Sequence, residues 1–115
     1  MATIKSFTDI SQSKKLAEIL PIESADTIYT MTNGYHTPFI RIETIQEMDK
    51  DDVPCWSLAT LLNILPKIIN NETLFIETSA ALWHIGYRNI YTARADNLVD
   101  ACYELILKLH ELVMV

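Results

Sequence analysis

The side chains of this 115-residue chain that are suited to acid–base or ligand chemistry are three histidines, two cysteines and a cluster of acidic residues. His36 follows an Asn-Gly pair, His84 lies between Trp83 and Ile85, and His110 lies near the C-terminus. A catalytic histidine needs an orienting acid within hydrogen-bonding distance, and the spacing places no acid beside any of the three. His84 is the strongest candidate, but a structural or interface role is favoured even there.

Cys55 and Cys102 belong to no C-x-x-C pair and to no Cys/His cluster with the spacing of a zinc site. Both have apolar neighbours, which predicts that they are small buried hydrophobic residues rather than nucleophiles. Spacing alone leaves a disulfide open, but a cytoplasmic setting disfavours one.

The acidic residues Asp49, Asp51 and Asp52 lack the glycine and the distal glutamate of an EF-hand calcium loop. The chain has two glycines, Gly34 and Gly86. These are too few, and too far apart, to form a phosphate-binding loop, a dinucleotide fingerprint or a nucleophile elbow, so proteins that depend on these motifs are excluded. We therefore expect no catalytic residue, no metal and no cofactor.

The charge balance disfavours nucleic acid as a partner. Nine Lys and Arg stand against fifteen Asp and Glu, for a net charge of -6. The aromatic residues lack the surrounding basic residues of a stacking platform for single strands. No apolar run approaches the ~18 residues of a membrane span, and the N-terminus lacks the order of a signal peptide, so we expect a cytoplasmic protein.

The first half of the chain predicts a helix, a hairpin and a second helix. Residues 7–20 form an amphipathic helix in which Asp9 and Gln12 can make a capping box. Residues 27–32 and 35–43 flank Asn-Gly, the signature of a two-residue turn, which sets Thr32 opposite Tyr35, Thr30 opposite Thr37 and Ile28 opposite Phe39. Pro38 has no N–H to donate, which predicts an edge or solvent-facing position.

An acidic segment, residues 43–52, reads as a solvated loop. After it, Leu58, Leu61, Leu62 and Leu65 have the spacing of one helical face, and Pro66 ends the helix. Either Ser57 or the segment around Pro54 begins it.

Three strands are predicted in the second half, at residues 73–78, 80–87 and 90–94, with turns at Thr78-Ser79 and Arg88-Asn89. If both turns have two residues, the core face collects Leu74, Ile76, Trp83, Ile85, Tyr87 and Ile90. The opposite face collects Phe75, Leu82, His84 and Tyr91. That second face is more apolar than an open sheet face should be.

The C-terminal segment predicts the clearest helix. Asn97 can cap it with Asp100 at the third helical position. An apolar stripe then steps by four and three through Leu98, Cys102, Leu105, Leu109 and Leu112. Further apolar residues beside the stripe favour packing on a sheet, and we expect this helix to supply the largest share of the core.

Three sequence segments carry a resemblance. They are Phe7-Thr8-Asp9 with Gln12-Ser13-Lys14-Lys15-Leu16-Ala17-Glu18-Ile19-Leu20-Pro21, Val53-Pro54-Cys55-Trp56-Ser57-Leu58-Ala59 with Leu61-Leu62, and Asp96-Asn97-Leu98-Val99-Asp100-Ala101-Cys102-Tyr103-Glu104. In these the chain resembles a family of small uncharacterised proteins encoded by gut-dwelling bacteria and their phages and mobile elements. The resemblance covers the three helices. It implies a cytoplasmic setting, a helical frame with variable strands and no assigned activity, so no catalytic residue is carried over.

These patterns predict one α+β domain over residues 1–115, in the order α-β-β-α-β-β-β-α, with a mostly antiparallel sheet and the helices packed chiefly on one face. The function favoured is that of a non-enzymatic interaction or accessory protein. Its surface for self-association or a protein partner would comprise Phe75, Leu82, His84 and Tyr91. The alternative is a small ligand-binding protein or enzyme with a pocket near His84, His36 and the acidic segment 43–52.

Overall fold

The computed structural model describes residues 5–32, 35–40 and 52–115. It contains three helices, α1 (Ile10–Ala17), α2 (Leu58–Ile64) and α3 (Leu98–Glu111), and a short 3-10 turn at Ile22–Ser24. The strands are β1 (Thr27–Thr32), β2 (Tyr35–Ile40), β3 (Val53–Cys55), β4 (Ile68–Ile69), β5 (Glu72–Ser79), β6 (Leu82–Tyr87) and β7 (Tyr91–Ala95). The predicted α+β class and element order are confirmed. Two short strands, β3 and β4, are added to that order.

The strands form two antiparallel sheets rather than one. The first has the order β2-β1-β3 and the second the order β4-β5-β6-β7. In the first sheet, Thr32 pairs with Tyr35, as the two-residue turn predicted, and the remaining hairpin register is also confirmed. Pro38 lies on the edge strand β2, where a missing N–H breaks no ladder bond between strands. The Asn33-Gly34 turn itself lies outside the described residues.

The helices begin where their capping residues predicted. Asp9 and Gln12 form the capping box of α1, and Asn97 accepts a hydrogen bond from the backbone N–H of Asp100 in α3. Ser57 caps α2, which settles the choice between Ser57 and the segment around Pro54. Helix α1 is shorter than the predicted residues 7–20 because the chain leaves helical geometry before Pro21.

The core lies between α3 and one face of the four-stranded sheet. Six core residues come from α3, and they are Val99, Ala101, Cys102, Leu105, Ile106 and Leu109. Helix α3 packs against β6 and β7, where Ile85 and Tyr87 are fully buried. The hydroxyl of Tyr87 donates a hydrogen bond to the carbonyl oxygen of Pro66. The expectation that the C-terminal helix would dominate the core holds for the described residues.

Polar contacts join the N-terminal ends of the helices. Asp100 accepts hydrogen bonds from Lys5 Nζ at 2.7 Å and from Gln12 Nε2 at 2.8 Å, which ties α3 to α1. Asp26 accepts a bond from the backbone N–H of Ser57 at 2.9 Å and another from its hydroxyl. These carboxylates occupy the helix ends at which an external anion would otherwise be favoured.

Asp26 gives the fold a pH dependence of predictable sign. Burial raises the pKa of this carboxyl, but the hydrogen bonds to it from Ser57, from Thr60 and from its own backbone N–H together outweigh burial, and the pKa is lowered from its usual value. The stability it contributes is therefore present above the unfolded pKa of about 4 and is lost as the pH falls through the folded pKa. We expect Asp26→Asn to lose less unfolding free energy than the wild type between pH 7 and pH 3, by under about 1 kcal/mol because solvent screens the partly exposed group.

Urea unfolding at pH 7, 4 and 3 checks this result. The control variant is Asp96→Asn, which removes a carboxylate from an exposed position. An equal loss in wild type and Asp26→Asn would show that the Ser57 contacts do not favour the ionised form.

Candidate functional site

Glu77 lies directly opposite His84 in the β5–β6 register, but among the described residues neither His84 nor His110 has a ring hydrogen bond to a carboxylate. His84 Nε2 lies 3.2 Å from the carbonyl oxygen of Ser79, and His110 Nδ1 lies 3.3 Å from that of Val115. His36 belongs to β2, in the other sheet. Among the described residues, no group of three or more His, Cys, Asp or Glu side chains could hold a metal ion. Most of the acidic segment of the alternative hypothesis, residues 43–51, lies outside the described residues.

The cysteines are free and buried, as predicted. Burial raises the pKa of Cys55 to about 12, with the nearby Asp26 carboxylate adding to the shift. Burial alone raises the pKa of Cys102 to about 12. Because the thiolate is the reactive form of cysteine, neither residue is suited to act as a nucleophile.

Buried polar groups in the described part of the chain serve the fold rather than a ligand. Thr8 and Ser13 share a hydrogen bond of 2.8 Å between their hydroxyl oxygens, and Thr8 Oγ1 accepts a bond from the backbone N–H of Trp56. Among the described residues, every buried side-chain nitrogen and oxygen atom has a partner.

Three of the four residues predicted for the interaction surface share one face of the sheet. Phe75, Leu82 and His84 share the face of the sheet opposite α3, and the guanidinium of Arg88 stacks over the Phe75 ring at 4.7 Å. The β5–β6 turn is Ala80-Ala81 rather than Thr78-Ser79. This moves the register by an even number of residues and so leaves the faces unchanged.

The prediction for Tyr91 is wrong, because this residue lies on the face opposite to that of Phe75, Leu82 and His84. It pairs with the fully buried Tyr87, packs against the core and has Lys108 Nζ 5.7 Å from its ring centre. The β6–β7 turn has three residues, Arg88, Asn89 and Ile90, rather than two. The extra residue changes the parity of the register and turns Tyr91 toward α3. Ile90 lies in the turn instead of the strand.

Two residues assigned to the core by their pattern are exposed. Ile76 on β5 and Trp83 on β6 lie on the helix-facing side of the sheet with 42% and 38% of their surface accessible. Helix α3 packs against β6 and β7, and the end of the β5–β6 hairpin extends past its cover. The alternating pattern identified the face of both residues correctly. It gave no information about how much of that face the helix covers.

The outer edge of β5 is free over residues 75–79 in the described part of the chain. Strand β4 pairs only with Glu72 and Thr73, and the N–H of Leu74 donates to the carbonyl oxygen of Lys67 at 2.9 Å. Backbone groups alternate in direction along an antiparallel strand, so those of Ile76 and Thr78 also point outward. An exposed strand edge beside apolar side chains is a template for pairing with another chain.

The fold and the site together define a small antiparallel α+β protein with an apolar hairpin end and a free sheet edge, without a described catalytic cluster. No helix among the described residues is long and apolar enough to span a membrane. No family model, curated protein sequence or solved structure matches the chain. The exposed end of the β5–β6 hairpin is therefore the candidate functional site.

Proposed function

We propose that this protein is a non-enzymatic interaction module that binds another protein through the end of the β5–β6 hairpin. The observation that carries the proposal is the joint exposure of Ile76 and Trp83 on one face of the sheet. An exposed tryptophan and an exposed isoleucine that lie close together can bury a large apolar area when a partner binds, and they lose little conformational entropy in doing so.

The open face of the same hairpin widens the surface. Phe75, Leu82 and His84 are half-buried there, and Arg88 covers the Phe75 ring. Apolar side chains are thus available on both faces of the sheet at this end of the hairpin. A partner can pack against either face, with Trp83 as the anchor.

The setting proposed for the module is the cytoplasm, and the resemblance of its helices adds a phage or other mobile element as its source. Free, buried thiols at Cys55 and Cys102 are in keeping with a reducing compartment. The net charge of -6 supports a protein partner over a nucleic acid.

The test compares Trp83→Ala with Val113→Ala, which changes a residue that is 89% exposed but far along the chain from the hairpin. Wild type and both variants are cross-linked in extract of the source cells, and captured proteins are quantified by mass spectrometry. We expect at least one protein captured by wild type and Val113→Ala to fall about tenfold or more with Trp83→Ala, because hot-spot tryptophans contribute about 2 kcal/mol or more. Identical capture by all three would refute the proposal, provided that circular dichroism shows a native fold.

A further inference from the structure

We infer that the partner adds an extended strand to the free edge of β5, with a basic side chain opposite Glu77 and apolar side chains on either side of it. This inference rests on the proposed function and names the mode of binding and the chemistry of the partner. In strand addition, main-chain hydrogen bonds supply affinity and alternate side chains supply specificity.

The backbone of β5 offers two positions for such a strand. Ile76 and Thr78 direct their N–H and C=O groups away from β6, which gives an added strand up to four hydrogen bonds. Strand β4 covers the edge as far as Leu74, and the Ala80-Ala81 turn, with φ of 54° and 64°, ends it on the other side. The free edge therefore accepts about five residues of a partner.

The side chains along the edge differ between the two faces. Partner residues opposite Ile76 and Thr78 would lie on the face that exposes Ile76 and Trp83, where apolar side chains are favoured. The residue opposite Glu77 would lie on the other face. Glu77 is 53% exposed, and its Oε2 reaches Arg88 only at 4.0 Å, so its carboxylate keeps room for a second cation.

A second copy of the chain fits this edge poorly in each register. Twofold pairing must match outward-facing residues, so the axis falls at Ile76, Glu77 or Thr78. If the axis lies at Ile76, Thr78 of the copy must pair with Leu74, but the N–H of Leu74 already donates to the carbonyl oxygen of Lys67. An axis at Thr78 runs the pairing into the turn at Ala80.

The remaining register sets Glu77 directly opposite Glu77 of the copy. Like charges in directly opposed positions destabilise an antiparallel pair. Arg88 is 68% exposed, lies over the Phe75 ring and approaches Glu77 only at 4.0 Å, and Arg94 lies two strands away from Glu77, beyond His84 in the same cross-strand row. A basic residue from a different protein removes this repulsion and adds an attraction, which selects a cationic segment over a second copy.

The experiment uses two blocked pentapeptides, Thr-Val-Lys-Val-Thr and Thr-Val-Glu-Val-Thr, titrated into the ¹⁵N-labelled full chain and followed by NMR. Each sequence reads the same in both directions, so strand polarity does not affect the comparison. We expect saturable shifts of the Ile76 and Thr78 amides and of the Trp83 indole. The lysine peptide should bind about fivefold or more tightly than the glutamate peptide.

Two variants test the charge. Glu77→Lys should reverse the preference between the peptides, whereas Glu104→Lys, which makes the same change in net charge on the exposed side of α3, should keep it. A third variant, Thr78→Pro, removes an N–H that points away from β6 and therefore makes no hydrogen bond in the β5–β6 ladder. This variant should weaken the binding of both peptides. Equal binding of both peptides to wild type, or shifts confined to the face of Phe75 and Leu82, would overturn the inference.

Light scattering at two protein concentrations supplies the last comparison. We expect a monomer at both. A doubled mass with shifts of the Ile76 and Thr78 amides in the absence of peptide would show that a second copy takes the edge. If protein capture depends on Trp83 but is unchanged by Thr78→Pro, strand addition is wrong while the interaction function stands.

Discussion

Replacing Trp56 by alanine should lower the free energy of unfolding by about 3–5 kcal/mol, whereas the same change at Trp83 should cost about 1 kcal/mol or less. Trp56 is fully buried, and its indole N–H donates to Ser24 Oγ at 2.9 Å. Its removal leaves a large cavity where three segments of the chain meet. Trp83 is 38% exposed, and its loss leaves no closed cavity. Urea unfolding followed by far-UV circular dichroism measures both effects.

The two variants also control each other spectroscopically. Trp83→Ala retains Trp56, whose emission should be blue-shifted by its apolar surroundings, and Trp56→Ala retains the partly solvated Trp83. Equal losses of stability would mean that the two indoles are equally buried. That result would remove the basis for assigning Trp83 to a binding surface.

Replacing Gly86 by alanine should destabilise the protein by about 3 kcal/mol. A Cβ atom at this position would lie 2.2 Å from the carbonyl oxygen of Tyr91 and 2.6 Å from the Cα of Thr92. Both atoms belong to the backbone of β7, so β6 and β7 must separate to admit the methyl group. An alanine that fitted without strain would instead stabilise the chain by up to about 1 kcal/mol, because it restricts the unfolded state. The sign of the change is therefore diagnostic.

Ser79→Thr is the matched control, since it adds one methyl group at an exposed position on the same face of the neighbouring strand. We expect this control to change the unfolding free energy by less than about 0.5 kcal/mol. Chemical denaturation of Gly86→Ala and Ser79→Thr side by side makes the comparison. A neutral or stabilising Gly86→Ala would mean that β6 and β7 are not as closely paired as described.

Features set by a few neighbouring residues were readable from the sequence. The capping box of Asp9 and Gln12, the Asn97 cap and the register around Asn33-Gly34 all depend on contacts within four residues. The apolar stripe of α3 was equally legible, because helical periodicity alone determines which residues share a face.

The turns of the second sheet were harder to predict because their residues disagree with local preference. Ala80 and Ala81 both adopt positive φ, which alanine disfavours, while Thr78 and Ser79 have the usual composition of a turn. Pairing along the whole length of β5 and β6 outweighs that local cost. The three-residue turn at Asn89, with φ of 65°, likewise decided the face of Tyr91.

The periodic pattern of residues 74–87 thus established that Ile76 and Trp83 share the face of Ile85, and the tertiary structure alone determined that they are exposed. A strand alternates its side chains by its own geometry, but burial depends on how far a distant helix extends across the sheet. The short β4 strand is a similar case, since it covers only one end of β5. The residue types on each face of a strand follow from the local sequence and could be predicted. The free edge of β5 and the exposed end of the hairpin depend on contacts between residues far apart in the chain.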